Sequence, residues 1–233
     1  MTPSTTPPST MPPRVLVVGA SRGIGLEFVR QYRAAGAQVT ATARDDAGLA
    51  RIAALGARAL RLDIANAAGA AASAWPIDGE VFDLVVHNAG VYGPAKDAPD
   101  APTAAEFDAV MHANVLGAMR VLPQVVGALA PGAVLAVVSS RMGSIGGRSN
   151  GGRWLYRASK AALNSVLRDA AFVLEGRAVC VALHPGWVRT DMGGPDADLD
   201  VAASVADLRR TIGALGPADN GRFLNHDGGP LPW

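Results

Sequence analysis

The segment "YRASK" places Tyr156 and Lys160 four positions apart. On a helix that spacing puts a phenol and an ammonium on one face. A free phenol, with a pKa of about 10, is a poor acid or base at neutral pH. A neighbouring cation lowers that pKa, and Lys160 can supply one, so the pair is suited to proton transfer. Upstream, "AVLAVVSS" ends in Ser139 and Ser140, and "VVGASRGIG" sets Gly19, Gly23 and Gly25 directly after an apolar run. A glycine turn opening a helix brings backbone N–H groups and the positive helix end close to a phosphate. Taken singly, each has an ordinary reading: a packed tyrosine, a solvated lysine, a strand-end serine, a tight turn.

These residues need elements to hold them. Seven short β-branched or aliphatic segments, 14–18, 37–43, 57–63, 82–88, 133–140, 178–185 and 222–227, alternate with helix-length stretches. Several are continuously apolar, as strands covered on both faces are. Helical stretches include 23–36, 103–129 and 155–176, the last closing on Gly176. Alternating β and α predicts an α/β fold, a single-domain Rossmann-like doubly wound parallel sheet of about seven strands with helices on both faces. Ligands of such sheets bind beyond the carboxyl ends of the strands, where the strand order reverses. The glycine turn, "HNAG" (87–90), the serine pair and "HPGWVRTDMG" all fall at those ends.

Composition narrows the classes. Among 233 residues, 49% are hydrophobic and 18% charged, with a net charge of +1, and no basic block or stripe marks a nucleic-acid partner. No apolar run is long enough to span a membrane. The lone Cys180 excludes an internal disulfide and sits in an apolar run, which points to a buried, inert thiol. The histidines at 87, 112, 184 and 226 are scattered without a ligand pattern, so no metal is expected. Residues 1–13, rich in Pro, Ser and Thr, read as a disordered tail before a domain spanning 14–233, with Met11 a candidate start. The tail lacks the features of a secretory signal, and the cytoplasm is the expected compartment.

The set Gly-x3-Gly-x-Gly, Asn-Ala-Gly, Ser…Tyr-x3-Lys and Pro-Gly, in this order, resembles the classical short-chain dehydrogenase/reductase family over residues 14–233. "SSRMGSIG", "YRASKAALN", "HPGWVRTDMGG" and "GRFLNHDGGPLPW" further resemble its C-factor and sniffer-type carbonyl reductases. The resemblance implies an NADP-dependent oxidoreductase that reduces an aldehyde, ketone or quinone by hydride transfer. It implies Tyr156 as general acid/base, Ser140 holding the substrate oxygen, Lys160 binding the ribose hydroxyls and Asn114 holding a relay water. From Ser140 to Tyr156 is 16 positions, a few more than is usual in the family, with "GRSNGG" the extra loop. Ser144 is the fallback for Ser140, and Met142, Trp154 and Trp187 are candidate pocket walls.

For the cofactor, the resemblance implies contacts from Gly19, Ser21, Arg22, Gly23, Ile24 and Gly25 in the turn. Asp63 and Ile64 would border the adenine, and Asn88, Ala89 and Gly90 the adenosine and ribose. Pro185, Gly186, Val188 and Thr190 would meet the nicotinamide end. Where NAD-dependent members carry an acid after strand two, this chain has Ala43 followed by Arg44. With Arg22, that favours NADP(H), because a guanidinium fork matches a 2′-phosphate. Family members usually form homodimers or homotetramers through the helices corresponding to 103–130 and 155–175. A non-catalytic dinucleotide-binding regulatory or signalling protein is the alternative.

Overall fold

The computed structural model describes residues 12–66, 77 and 79–233. Most of the expected N-terminal tail, residues 1–11, lies outside the described residues. Seven strands, β1 (Arg14–Val18), β2 (Gln38–Ala43), β3 (Arg58–Arg61), β4 (Phe82–His87), β5 (Leu129–Val138), β6 (Ala178–His184) and β7 (Arg222–Asn225), form one sheet in the order β3-β2-β1-β4-β5-β6-β7. Every neighbouring pair is parallel. The helices are α1 (Gly23–Ala34), α2 (Asp46–Ala54), α3 (Ala104–Met111), α4 (Gly117–Val126), α5 (Trp154–Val173) and α6 (Val201–Gly213). None of the described helices is long and apolar enough to cross a membrane.

The continuous apolar strands follow from burial on both faces. Leu16, Val18 and Val85 pack with Val121, Leu163 and Leu167 of α4 and α5. The alternate residues Val15, Val17 and Val86 pack with Phe28, Ile52 and Leu208 of α1, α2 and α6. Each fully buried side chain of this size contributes about 1.5–3 kcal/mol, so the two faces anchor the strand ends on which the site depends. The order reverses between β1 and β4, which opens the crevice there.

Two expectations are modified. The helical stretch 103–129 is interrupted by a π-helical turn, His112–Leu116, between α3 and α4. The extra residue in that turn carries Asn114 inward, a placement typical of π-bulges near functional sites. Pro123 weakens the following helix. Leu129 then already pairs with Phe82, so β5 begins before residue 133 and bulges before resuming at Val134.

Candidate active site

The glycine turn is fixed by backbone contact. Gly19 has φ +85°, and a Cβ there would lie 2.6 Å from Ala89 Cα. A Cβ on Gly25 would sit 2.2 Å from the Gly19 carbonyl. Only glycine lets β1, the turn and β4 approach so closely. Asn88 Nδ2 donates to Gly19 O at 2.7 Å, and Gly19 N donates to Thr42 Oγ1 at 3.0 Å. Asn88 therefore ties the turn down while lining the cleft.

The cleft encloses about 490 Å³ across the carboxyl ends of the strands. It runs from Arg44, Asp63 and Ile64 past Gly19, Ser21, Arg22, Gly23 and Ile24 to Asn88, Ala89 and Gly90, and ends at Tyr156, Lys160, Pro185 and Thr190. Of the expected residues, Gly25, Gly186, Val188, Ser140 and Asn114 are not on its wall. Val188 is buried and bridges to Leu199, and Gly186 faces Leu199 and His226. Ala43, Met192 and Arg189 line it as well.

Arg44 and Arg22 occupy one end of the cleft, and among the described residues no carboxylate is paired with the Arg44 guanidinium. Asp45 caps α2 through Gly48 N (2.7 Å), and Asp46 pairs with Arg61. Arg22 reaches the exposed Asp191 at 2.6 Å across the cleft mouth. An exposed pair of this kind holds by at most about 1 kcal/mol, which leaves Arg22 available to another anion.

At the other end the reactive groups converge from β5 and α5. Lys160 is 4% exposed and donates from Nζ to Val138 O at 3.1 Å. Burial pushes its ammonium down to about 8. Its Nζ lies 5.8 Å from the centroid of the Tyr156 ring. The expected lowering of the Tyr156 phenol does not appear here. Burial raises it above its ordinary value, a hydrogen bond to the Ser140 side chain opposes this in part, and Tyr92 adds to it. Desolvation of a phenolate outweighs a cation that sits over the ring face. Tyr156 thus stays a phenol, the form a proton donor needs.

The serines separate clearly. Ser140 is the serine whose side chain lowers the Tyr156 phenol, and its Oγ accepts from Met142 N at 3.2 Å, whereas Ser139 Oγ is committed to Asn164 Oδ1 at 2.6 Å. Ser144 is held by the backbone of Pro232 and Trp233, so the fallback serine has other partners. Asn114 is fully buried, accepting from Val91 N at 2.7 Å and donating to Val91 O and Ser159 Oγ, both at 2.9 Å. A Cβ on Gly90 would lie 3.1 Å from Asn114 Oδ1 and 3.4 Å from Lys160 Nζ, so the amide and the ammonium flank one glycine.

Sequence reasoning passed over Ser159 and Tyr92, and assigned no role to the strand-end His87. Ser159, inside "YRASK", donates to Tyr156 O at 2.8 Å and links that helix to Asn114. Tyr92 packs its ring 4.5 Å from that of Tyr156. His87 is fully buried, is pushed down to about 4 by burial and then by Lys160, and has neither ring nitrogen hydrogen-bonded among the described residues. Each looks like plain strand, loop or helix filler in sequence, and only the packing marks it. Of the candidate pocket walls, Trp187 and Trp154 are exposed, and Trp187 Nε1 donates to Gly193 O at 2.8 Å. Among the described residues no group of acidic, histidine or cysteine side chains is arranged to hold a metal.

Residues 13–198 match the family model for short chain dehydrogenase. The chain belongs to that family. As a short-chain dehydrogenase it is 42% identical over 154 residues to the C-signal of Myxococcus xanthus, an alignment covering 65% of this chain and 92% of that one. A Burkholderia multivorans short-chain dehydrogenase/reductase crystallised with NADP superposes with a TM-score of 0.86 at 33% identity, over 96% of this chain and 100% of the other. The carbonyl reductase Sniffer of D. melanogaster superposes with a TM-score of 0.84 at 30% identity, over the same shares. The resemblance to the C-factor and sniffer type therefore holds for this dehydrogenase, beside its seven-stranded parallel sheet.

Proposed function

We propose that this short-chain dehydrogenase reduces the carbonyl group of an aldehyde, ketone or quinone to an alcohol with NADPH, Tyr156 supplying the proton. The observation that carries the reading is the convergence of Tyr156 and buried Lys160 on one end of a cleft whose other end presents Arg22 and Arg44, with the Ser140 side chain acting on the Tyr156 phenol from outside the cleft wall. The residues fit a dinucleotide: the glycines form a cradle that a Cβ would fill, and both arginines suit a 2′-phosphate. NADPH, when bound, supplies the hydride for the carbonyl carbon. The Tyr156 hydroxyl gives its proton to the carbonyl oxygen, and Ser140 holds that oxygen where charge develops. Lys160 binds the ribose hydroxyls and favours the phenolate left behind, while Asn114 holds a water that returns a proton toward Lys160. The crystallised NADP complex of the Burkholderia relative and the name of the Sniffer reductase support this cofactor and reaction.

A panel of aldehydes, diketones and quinones, followed by NADPH absorbance, tests the reading. Turnover of at least one class supports it. Tight NADPH binding with no turnover of any would favour a regulatory or signalling role, which the name of the C-signal relative makes the second reading. We also propose a homodimer or homotetramer through α3–α4 and α5, which expose Phe107, Met119, Phe172 and Val173. Light scattering that finds a monomer would remove that part.

A further inference from the structure

After β7 the chain turns back on itself. Asn225 N donates to Gly229 O at 2.7 Å, Leu224 bridges antiparallel to Pro230, and Leu231 N donates to Phe223 O at 2.8 Å. This return carries Pro232 and Trp233 onto the loop that follows Ser140. Ser144 Oγ donates to Pro232 O at 2.5 Å and lies 3.1 Å from Trp233 O. Trp233 O also accepts from Ile145 N at 2.6 Å and from Gly146 N at 3.1 Å. The indole that places this carbonyl is itself fixed, stacked on Phe223 at 5.4 Å with the Arg168 guanidinium 5.8 Å from its ring.

The loop so held is joined to the reactive groups. Ser144 N donates to Arg141 O at 3.0 Å, Gly143 N to Ser140 O at 2.8 Å, and Met142 N to Ser140 Oγ at 3.2 Å. Gly143 lies so near α5 that a Cβ would come within 2.8 Å of the Lys160 carbonyl carbon. Residues 141–153 contain five glycines, so this loop has much backbone entropy to lose. Something outside the loop must hold it.

We propose that Pro232 and Trp233 are positioning residues for the reaction: their carbonyls clamp Ser144–Gly146, and the clamped loop keeps Ser140 presented to Tyr156 and to the carbonyl substrate. The clamp touches the substrate side alone, away from the glycine turn. This rests on the carbonyl-reductase reading, so its test carries a readout that does not need turnover.

Four variants suffice: removal of residues 232–233, Ser144→Ala, these two changes combined, and Trp233→Phe, which keeps a ring and both carbonyls. Removal of 232–233, or Ser144→Ala, should lower kcat/KM for a carbonyl substrate at saturating NADPH by about tenfold, as expected for one or two lost hydrogen bonds. Both changes together should cost no more than about threefold beyond either alone, because they break the same contact. NADPH affinity, titrated by fluorescence, should stay within about twofold of the unmodified chain, a shift below 0.5 kcal/mol. Trp233→Phe should keep most of the rate of the unmodified chain. In the chain lacking 232–233, the amides of Ile145 and Gly146 should lose hydrogen-exchange protection. Multiplicative losses, an NADPH affinity that falls in parallel, or an unchanged kcat/KM would overturn the clamp, as would retained protection of those two amides. An unmodified chain that turns over no carbonyl would instead overturn the reaction, and the exchange measurement would still decide the clamp.

Discussion

At the β1–β4 end of the cleft, position is set by backbone sterics: Gly19, Gly25 and Ala89 touch where no side chain fits. At the β5–β6 end, position is set by buried side chains, with Lys160 on Val138 O, Asn114 on Val91 and Ser139 on Asn164. The first end tolerates no added atom yet uses few specific groups, as suits a ligand present in every turnover. The second end depends on particular functional groups, as suits proton transfer. Changes at the two ends should therefore fail in different ways.

The largest effect is expected at the side-chain end. Lys160→Ala should lower carbonyl reduction by roughly two to four orders of magnitude, the range for a positioned proton-transfer group. It should also weaken NADPH binding, since in the proposed reaction one ammonium serves both. A steady-state loss below threefold would contradict its placement. At the backbone end, Gly19→Ala forces a Cβ against Ala89 at φ +85°. It should cost about 1–3 kcal/mol of stability and most of the NADPH affinity. In the substrate-side loop, Gly151→Ala meets nothing within 4 Å, and denaturant unfolding should place it within about 0.5 kcal/mol of the unmodified chain.

Arg44 sharpens the comparison further. NADPH should be preferred over NADH by at least roughly tenfold in kcat/KM, about 1.4 kcal/mol, and Arg44→Asp should shrink or invert that ratio. Equal use of both cofactors by the unmodified protein would refute the assignment.

A smaller effect follows from pH. Burial holds the Lys160 ammonium at about 8, so it loses its proton, and with it the charged contact proposed with the ribose, as pH rises through that value. NADPH affinity should fall severalfold between pH 7 and pH 9.5 in a fluorescence titration, and Lys160→Ala should flatten the profile. The linked stability has the opposite sign. Between about 8 and the unfolded lysine value of about 10.4, the folded chain binds fewer protons, so the penalty of burying Lys160 is relieved as pH rises.

Much of this was legible in the chain before folding. Alternating apolar segments announced the parallel sheet, because strands covered on both faces need no polar alternation. Tyr156 and Lys160 were visible because helical spacing puts them on one face and the resemblance to short-chain dehydrogenases gives such a pair its role. The π-helical turn at Asn114 was not, since "MHANVLG" carries no local signal for an extra residue and only the tie to Val91 and Ser159 calls for it. Nor was the sign of the Tyr156 shift, which burial decides. The role of Ser144 was hidden because its partners, Pro232 and Trp233, lie far along the sequence.

The most direct test of the account is Tyr156→Phe, which removes one oxygen from a ring that stays packed on Tyr92. NADPH titration by fluorescence and turnover of one good carbonyl substrate would be measured together. The account predicts unchanged folding, near-normal NADPH affinity, and a rate lower by roughly two to four orders of magnitude. A variant within threefold of the unmodified rate would show that the proton comes from elsewhere and would contradict the proposed reaction.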